Sequence, residues 1–226
     1  MKRLLLLHGY TEDRTIFDTL LPLLPAFGQV VPLELEAEFA HWRPAPGAVN
    51  VHALAGHLAA RHQIGPADVL LGHSMGGWIA AHLKEQTGAT AILLSSFTDQ
   101  AKIVSRIRSP RLLSFYAHLG LVQNRWLNNY FRRRYPHDES RALHGQLVAG
   151  VGRFRRRYVA QQLRVLFAPV PPLRTQPELR LHALGDTVVR PPDEPFTALP
   201  GDHFAHYFYP ELAARAIDAL LQKKAG

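Results

Sequence analysis

Asp68-Val69-Leu70-Leu71-Gly72-His73-Ser74-Met75-Gly76-Gly77-Trp78-Ile79-Ala80-Ala81-His82-Leu83-Lys84 is the stretch on which the reading of this chain turns. Val69, Leu70 and Leu71 make a short apolar burst, the pattern of a buried strand. Gly77 to Lys84 opens with small residues and continues apolar, the pattern of a helix start. Between them lies the G-x-S-x-G pentapeptide of residues 72–76. Strand, sharp turn and helix are the setting in which that pentapeptide presents a serine as a nucleophile. The turn is tight and strained, so small residues must flank Ser74. Its Oγ then stands clear of the sheet edge, with a helix N-terminus behind it that favours developing negative charge.

Three other segments carry the parts such a serine needs. Leu4-Leu5-Leu6-Leu7-His8-Gly9-Tyr10-Thr11 is an apolar run ending in His-Gly. An acyl-transfer oxyanion takes two N–H donors, and the turn supplies one, that of Met75; the Tyr10 N–H is expected to be the second. Leu179 to Asp186 reads as a strand closing on an acid, and Phe196 to His203 as a short strand closing on a histidine. Serine, acid and histidine thus follow one another along the chain.

This order, and these motifs, resemble the α/β-hydrolase family over essentially the whole length. The likeness is to its small, lid-bearing serine esterases, of which the pimeloyl-carrier methyl ester esterase is one. The matching residues are His8-Gly9-Tyr10, Gly72 to Gly77, Gly185-Asp186 with Val188-Val189, and His203-Phe204 followed by Pro210-Glu211. The resemblance implies Ser74 as nucleophile, His203 as base and Asp186 as the acid that orients it. Asp99, Asp202 and His206 are the rivals for the last two roles. Two departures stand out. Relatives often have two strands before the His-Gly strand, which here begins at residue 2. They often follow the next strand with a Gly-x-Gly loop, where this chain has Glu36-Ala37-Glu38-Phe39-Ala40-His41-Trp42-Arg43. The expected fold is therefore an α/β-hydrolase fold, with a mostly parallel six-stranded sheet lacking the family's first two strands. Its spatial order would be 2-1-3-4-5-6, with a helical lid inserted.

The remaining pattern alternates strands and helices. A helix is expected over Asp13–Leu24, with Ile16, Leu20, Leu23 and Leu24 at helical spacing. A strand over Val30–Leu35 contains Pro32 and two glutamates, which suits a sheet edge. Asn50 can cap a helix over Val51–His62, Thr90–Ser95 is a fourth strand, and Glu211–Gln222 closes the chain. Residues 97–176 show no strand pattern and read as the lid. Ser109-Pro110 starts one helix there, and Asp138 can cap a second that carries Leu143, Leu147, Val151, Phe154 and Tyr158. Within the single domain of residues 1–226, the lid holds fifteen Lys/Arg against three acids, a net +12, while the rest of the chain is −4. Its basic runs are Arg132-Arg133-Arg134 and Arg155-Arg156-Arg157.

Composition narrows the function further. The 226 residues are enough for one domain with a sizeable core. There is no cysteine, which excludes disulfides and thiolate metal sites and fits a cytoplasmic location. No apolar run approaches a membrane span. The thirteen histidines are scattered without metal-ligand spacing, and the basic charge accompanies no nucleic-acid motif. The expectation is a cofactor-free serine hydrolase of carboxylic esters or thioesters, with no metal. Its acyl group is small or medium, on an anionic carrier such as coenzyme A or an acyl-carrier protein drawn by the basic lid. A ligand receptor that keeps the triad is the alternative, and cofactor-free perhydrolysis is a third option. Phe39, Trp42 and Trp126 are candidates for substrate contact.

Overall fold

A computed structural model describes residues 2–45, 47–105, 107–121, 124, 126 and 135–224. These form a six-stranded, wholly parallel sheet of β1 (Arg3–Leu7), β2 (Gln29–Leu33), β3 (Val69–His73), β4 (Thr90–Leu94), β5 (Leu179–Ala183) and β6 (Thr197–Leu199). The spatial order is β2-β1-β3-β4-β5-β6. β2 stands at one edge, where Pro32, which has no N–H to give, costs least. Opposite it lies Leu6 of β1.

Side chains along β1 alternate between two cores, as a two-residue period demands. Leu5 and Leu7 join Leu70, Leu54, Leu58, Ile79 and Leu83 on one face. Leu4 and Leu6 join Val69, Leu71, Ile92, Phe17, Leu181 and Ile217 on the other. The first core is roofed by α1 (Leu35–His41), α2 (Val51–His62) and α3 (Met75–Thr87); the second is closed by α8 (Pro210–Lys223), which follows the short α7 (Ala205–Phe208). Asn50 caps α2, its side chain accepting the Ala53 N–H at 2.9 Å.

Four local expectations change. Residues 13–24 are two 3₁₀ turns, Arg14–Phe17 and Leu21–Leu23, not one α-helix. Pro22 lacks the N–H that an α-helix needs there, and its ring would collide with the carbonyl of Asp18. The stretch after β2 is helical from Leu35 to His41, because Leu35 and Phe39, four apart, both bury their side chains. Strand two also ends at Leu33 rather than Leu35. The long helix expected from Asp138 is interrupted. α5 (Arg141–Gly150) gives way to a 3₁₀ turn, and α6 (Arg156–Phe167) starts afresh. Gly150 and Gly152 flank the break, and glycine is a poor helix former. Ser140, not Asp138, precedes α5, and Arg155 precedes α6.

The segment between β4 and β5 also holds α4 (Pro110–His118), which packs on α6. It is fastened to the sheet-borne elements at defined points. The Trp78 Nε1–H of α3 donates to the Val165 carbonyl at 3.1 Å, and the Thr11 N–H after β1 donates to Gln162 Oε1 at 3.0 Å; within the segment, Gln100 Nε2 donates to the Leu166 carbonyl at 2.6 Å. The Arg132-Arg133-Arg134 run lies outside the described residues. No helix among the described residues is long and apolar enough to cross a membrane.

Candidate active site

Ser74 follows the last residue of β3 and precedes α3, with φ 51° and ψ −120°. That backbone is strained for an L-residue, and it persists because its surroundings leave no alternative. Three glycines make this possible. A Cβ on Gly72 would sit 2.5 Å from the Gly76 backbone. One on Gly76 would sit 1.9 Å from the Leu7 carbonyl oxygen, and one on Gly77 would sit 2.4 Å from Ser96 Oγ. The close approach at Gly76 sets the start of α3 directly against the end of β1. It therefore brings the Met75 N–H and the Tyr10 loop to the same end of the sheet. Thr11 and Ser95, which follow β1 and β4, also hold positive φ. Strain is gathered at the carboxyl ends of three adjacent strands, where open α/β sheets form their sites.

The Tyr10 loop is tied on both sides. The Gly9 N–H donates to Glu12 Oε2 at 2.7 Å, and the Thr11 N–H donates to Gln162 Oε1 of α6 at 3.0 Å. Among the described residues the Tyr10 N–H between them has no acceptor. Met75 is the first residue of α3, whose leading N–H groups no helix turn can satisfy.

His203 and Asp186 meet, as the sequence anticipates. His203 Nδ1–H donates to Asp186 Oδ2 at 2.7 Å. The other carboxylate oxygen accepts the N–H groups of Val188 at 2.8 Å and Val189 at 2.9 Å. Burial pushes the Asp186 carboxyl up, but the charge and hydrogen bond of His203 outweigh it and hold the group below its ordinary range. Burial pulls His203 down, and Asp186 outweighs that in turn, so His203 is raised. Each partner stabilises the charged form of the other. Ser74 Oγ makes no hydrogen bond among the described residues, and Ser74 is 8 % exposed.

The rivals have other work. Asp202 accepts hydrogen bonds from the hydroxyls of Tyr135 (2.7 Å) and Ser140, and from the Phe204 N–H at 3.0 Å. It fastens the inserted segment to the turn that carries His203. Asp99 is exposed and caps a 3₁₀ turn through the Ala101 N–H at 2.8 Å. His206 is buried with neither ring nitrogen partnered, and burial lowers it well below the ordinary histidine range.

Three groups that sequence reasoning passed over complete the network. His73 bridges Glu12 Oε2 at 2.8 Å and the His203 carbonyl at 3.0 Å. Because Glu12 also holds the Gly9 N–H, one buried carboxylate links the Tyr10 loop to the backbone of His203. Burial raises Glu12, but His73 outweighs it and the carboxyl lies below its ordinary range. His182, on β5, is the third: its Nε2–H donates to the Val189 carbonyl at 3.0 Å and lies 3.4 Å from Asp186 Oδ2. The only signal in the sequence was position, with Glu12 three residues after the His-Gly turn and His73 beside the serine.

Of the three aromatic candidates, one reaches a cavity. Phe39 lines a cavity of about 510 Å³ with Arg43, Arg155, Arg157, Glu34 and Tyr158. Trp42 does not line it. It is buried in the core, edge-on to Phe39 at 5.6 Å and near His57 at 6.5 Å. Trp126 is 76 % exposed and lines neither this cavity nor a second one of about 410 Å³. The second runs along His8, Thr11 and Glu12 and is closed by Leu147, Phe154 and Tyr158. Ser74 lines neither. Among the described residues, no group of three His, Asp or Glu side chains could hold a metal ion.

The sequence profile described as the alpha/beta hydrolase family matches residues 4–223. The chain belongs to that family. Solved structures agree on the fold. A hydrolase from Oleispira antarctica superposes with a TM-score of 0.71 at 14% identity, over 98% of this chain and 91% of its own. A thermophilic esterase from Thermogutta terrifontis does so at 0.63 and 19% identity, over 99% and 90%. A thioesterase of prodiginine biosynthesis from Streptomyces coelicolor gives 0.55 at 21% identity, over 96% and 84%. A comparison with curated proteins found no match.

Proposed function

We propose that this family member is a serine hydrolase of carboxylic esters or thioesters, acting through an acyl-enzyme. The observation that carries the reading is the buried Asp186–His203 pair at 2.7 Å, on the same strand-end face as the strained Ser74. His203 Nε2 takes the Ser74 proton as Oγ attacks the acyl carbon. The Tyr10 and Met75 N–H groups hold the oxyanion, His203 returns the proton to the leaving oxygen or sulfur, and water activated by His203 releases the acid. Asp186 fixes the ring so that Nε2 faces the serine, and it stabilises the cation that forms. The segment of residues 97–176 serves as the lid of one domain spanning the chain.

The substrate has a small or medium acyl group, and the lid's net +12 favours an anionic carrier such as coenzyme A or an acyl-carrier protein. Such carriers suit a cytoplasmic location. A fluorophosphonate probe should label Ser74 covalently. Ser74→Ala should abolish labelling and lower ester turnover by on the order of 10⁶-fold. Turnover by Ser74→Ala comparable to that of the unaltered protein would end this reading.

A further inference from the structure

Three buried polar atoms beside the Tyr10 loop lack a hydrogen-bond partner: Tyr10 Oη, Tyr158 Oη and Gln162 Nε2. Tyr158 and Gln162 lie one turn apart on α6, so their side chains share a face. The bond from the Thr11 N–H to Gln162 Oε1 sets that face over the loop. Tyr10 packs against the cluster that contains Tyr158, and Tyr158 lines the cavity running along His8, Thr11 and Glu12. Tyr158 is 4 % exposed and Gln162 0 %. An unmet polar group in the interior is costly, and native proteins leave few of them. Three such atoms, on the loop of the expected oxyanion donor and on the face of α6 set over it, with Tyr158 reaching the cavity, mark a place where a ligand supplies what the protein does not.

We propose that Tyr10 Oη, Tyr158 Oη and Gln162 Nε2 form a polar subsite for the acyl group. The substrates are then esters or thioesters whose acyl chain carries a neutral hydrogen-bond acceptor, a ketone or amide carbonyl. The inference rests on the acyl-enzyme reading of Ser74. The chemistry of the three groups selects the ligand. The Gln162 amide nitrogen only donates, its oxygen being engaged by Thr11. Burial pushes both tyrosines' ionisation far up, so they stay O–H donors. Donors without acceptors call for an oxygen. A carboxylate is disfavoured because Glu12, Asp13, Glu34 and Glu36 outnumber Arg153 among the charged groups lining the cavity beside Tyr158. A site built to hydrogen-bond a substrate group discriminates strongly against the analogue that lacks it, because its own buried donors are then left unpaired.

The test compares nitrophenyl 4-oxopentanoate, nitrophenyl pentanoate and the nitrophenyl monoester of succinate. The oxo ester should exceed the plain ester in kcat/KM by at least about tenfold. In Tyr158→Phe that ratio should fall toward one. The thermal midpoint of Tyr158→Phe should not drop, since the deleted hydroxyl has no partner in the free protein. Titration calorimetry on Ser74→Ala protein should show the same order of Kd without turnover. A ratio near one in the unaltered protein overturns the proposal, as does a ratio that Tyr158→Phe leaves intact. A lowered midpoint with an unchanged ratio would make the hydroxyl a structural group only, and preference for the succinate ester would refute the neutral class. If Ser74→Ala retains turnover while the Kd order holds, the acyl-enzyme reading fails and the subsite stands.

Discussion

Ser74 is held in its strained backbone by main-chain and buried side-chain partners: the Ser74 N–H donates to the Leu94 carbonyl, and Ser96 Oγ–H donates to the Ser74 carbonyl at 2.6 Å. The histidine opposite is likewise tuned by a buried partner. His203 is raised by Asp186 against the pull of burial, so it loses its proton above the ordinary value of about 6.5. A general base works only when neutral. The kcat/KM profile should therefore fall on the acid side with a midpoint above that value. Asp186→Asn should cut turnover by roughly 10⁴-fold, the cost seen when a triad loses the acid that fixes its tautomer. The midpoint of the residual activity should move to lower pH, because burial remains and the opposing charge is gone. A full pH–rate profile of both proteins checks this, and an unmoved midpoint would mean that Asp186 does not set the proton affinity of His203. At this scale the sequence was legible wherever a motif fixes a residue by its neighbours. Gly185-Asp186 with Val188-Val189 singled out Asp186 through the family resemblance, and in the fold the N–H groups of that pair hold its carboxylate. Glu12 and His73 were not legible in this way. Their contact joins residues 61 apart in the chain, and only the closure of β3 against β1 creates it.

At the scale of elements, apolar runs marked the strands and Pro32 an edge, while the spatial order came with the family resemblance; α2 runs over Val51–His62 as expected, whereas the helices at 13–24 and in the inserted segment differ. The spacing of Leu143, Leu147, Val151, Phe154 and Tyr158 continues in register across a break, so periodicity alone saw one helix where there are two. The break matters for charge. Arg155 stands ahead of α6 and Arg157 in its first turn, and both line the cavity with Arg43, facing Glu34 and Glu36. The basic excess is thus partly answered at this cavity, and a partial electrostatic effect is expected. Exposed charges act over about 8 Å at physiological salt, so steering weakens as salt rises. The kcat/KM for an acyl-coenzyme A substrate should drop with added salt, while that for a neutral nitrophenyl ester of the same acyl group stays nearly flat. Arg155→Glu with Arg157→Glu should reproduce part of that loss for the anionic substrate alone. Equal effects on both substrates would assign the arginines to a solvated face and remove the anionic carrier from the reading.

Over the whole molecule, folding shifts many of the histidines, and most of them in one direction. Burial lowers His8, His57, His82, His144, His182 and His206, and His82 is pushed down to about 4. Only the contact with Asp186 sends His203 the other way. The two directions have opposite consequences for stability. A histidine whose folded pKa is lowered leaves the unfolded chain binding the proton first, so stability falls as pH drops through about 6.5. His203 contributes stability that is present below that value and lost as pH rises through its higher folded pKa. Six lowered histidines stand against one raised, so the net expectation is a loss of stability on acidification from pH 7.5 to 5. Each lowered histidine adds at most about 1.4 kcal/mol per pH unit to the slope. His82 allows the cause to be isolated. It sits edge-on to Trp78 at 4.2 Å, far from the Asp186–His203 pair in sequence, and neither of its ring nitrogens has a partner. His82→Leu removes both the titrating group and two unmet polar atoms. It should raise stability at pH 7 by about 1 kcal/mol and make the acid slope shallower. Denaturant unfolding of both proteins at pH 7.5, 6 and 5 measures this. A slope unchanged in His82→Leu would show that this histidine takes up its proton equally in the folded and unfolded chains, and the acid sensitivity would then have to come from the other lowered histidines, His8, His57, His144, His182 and His206.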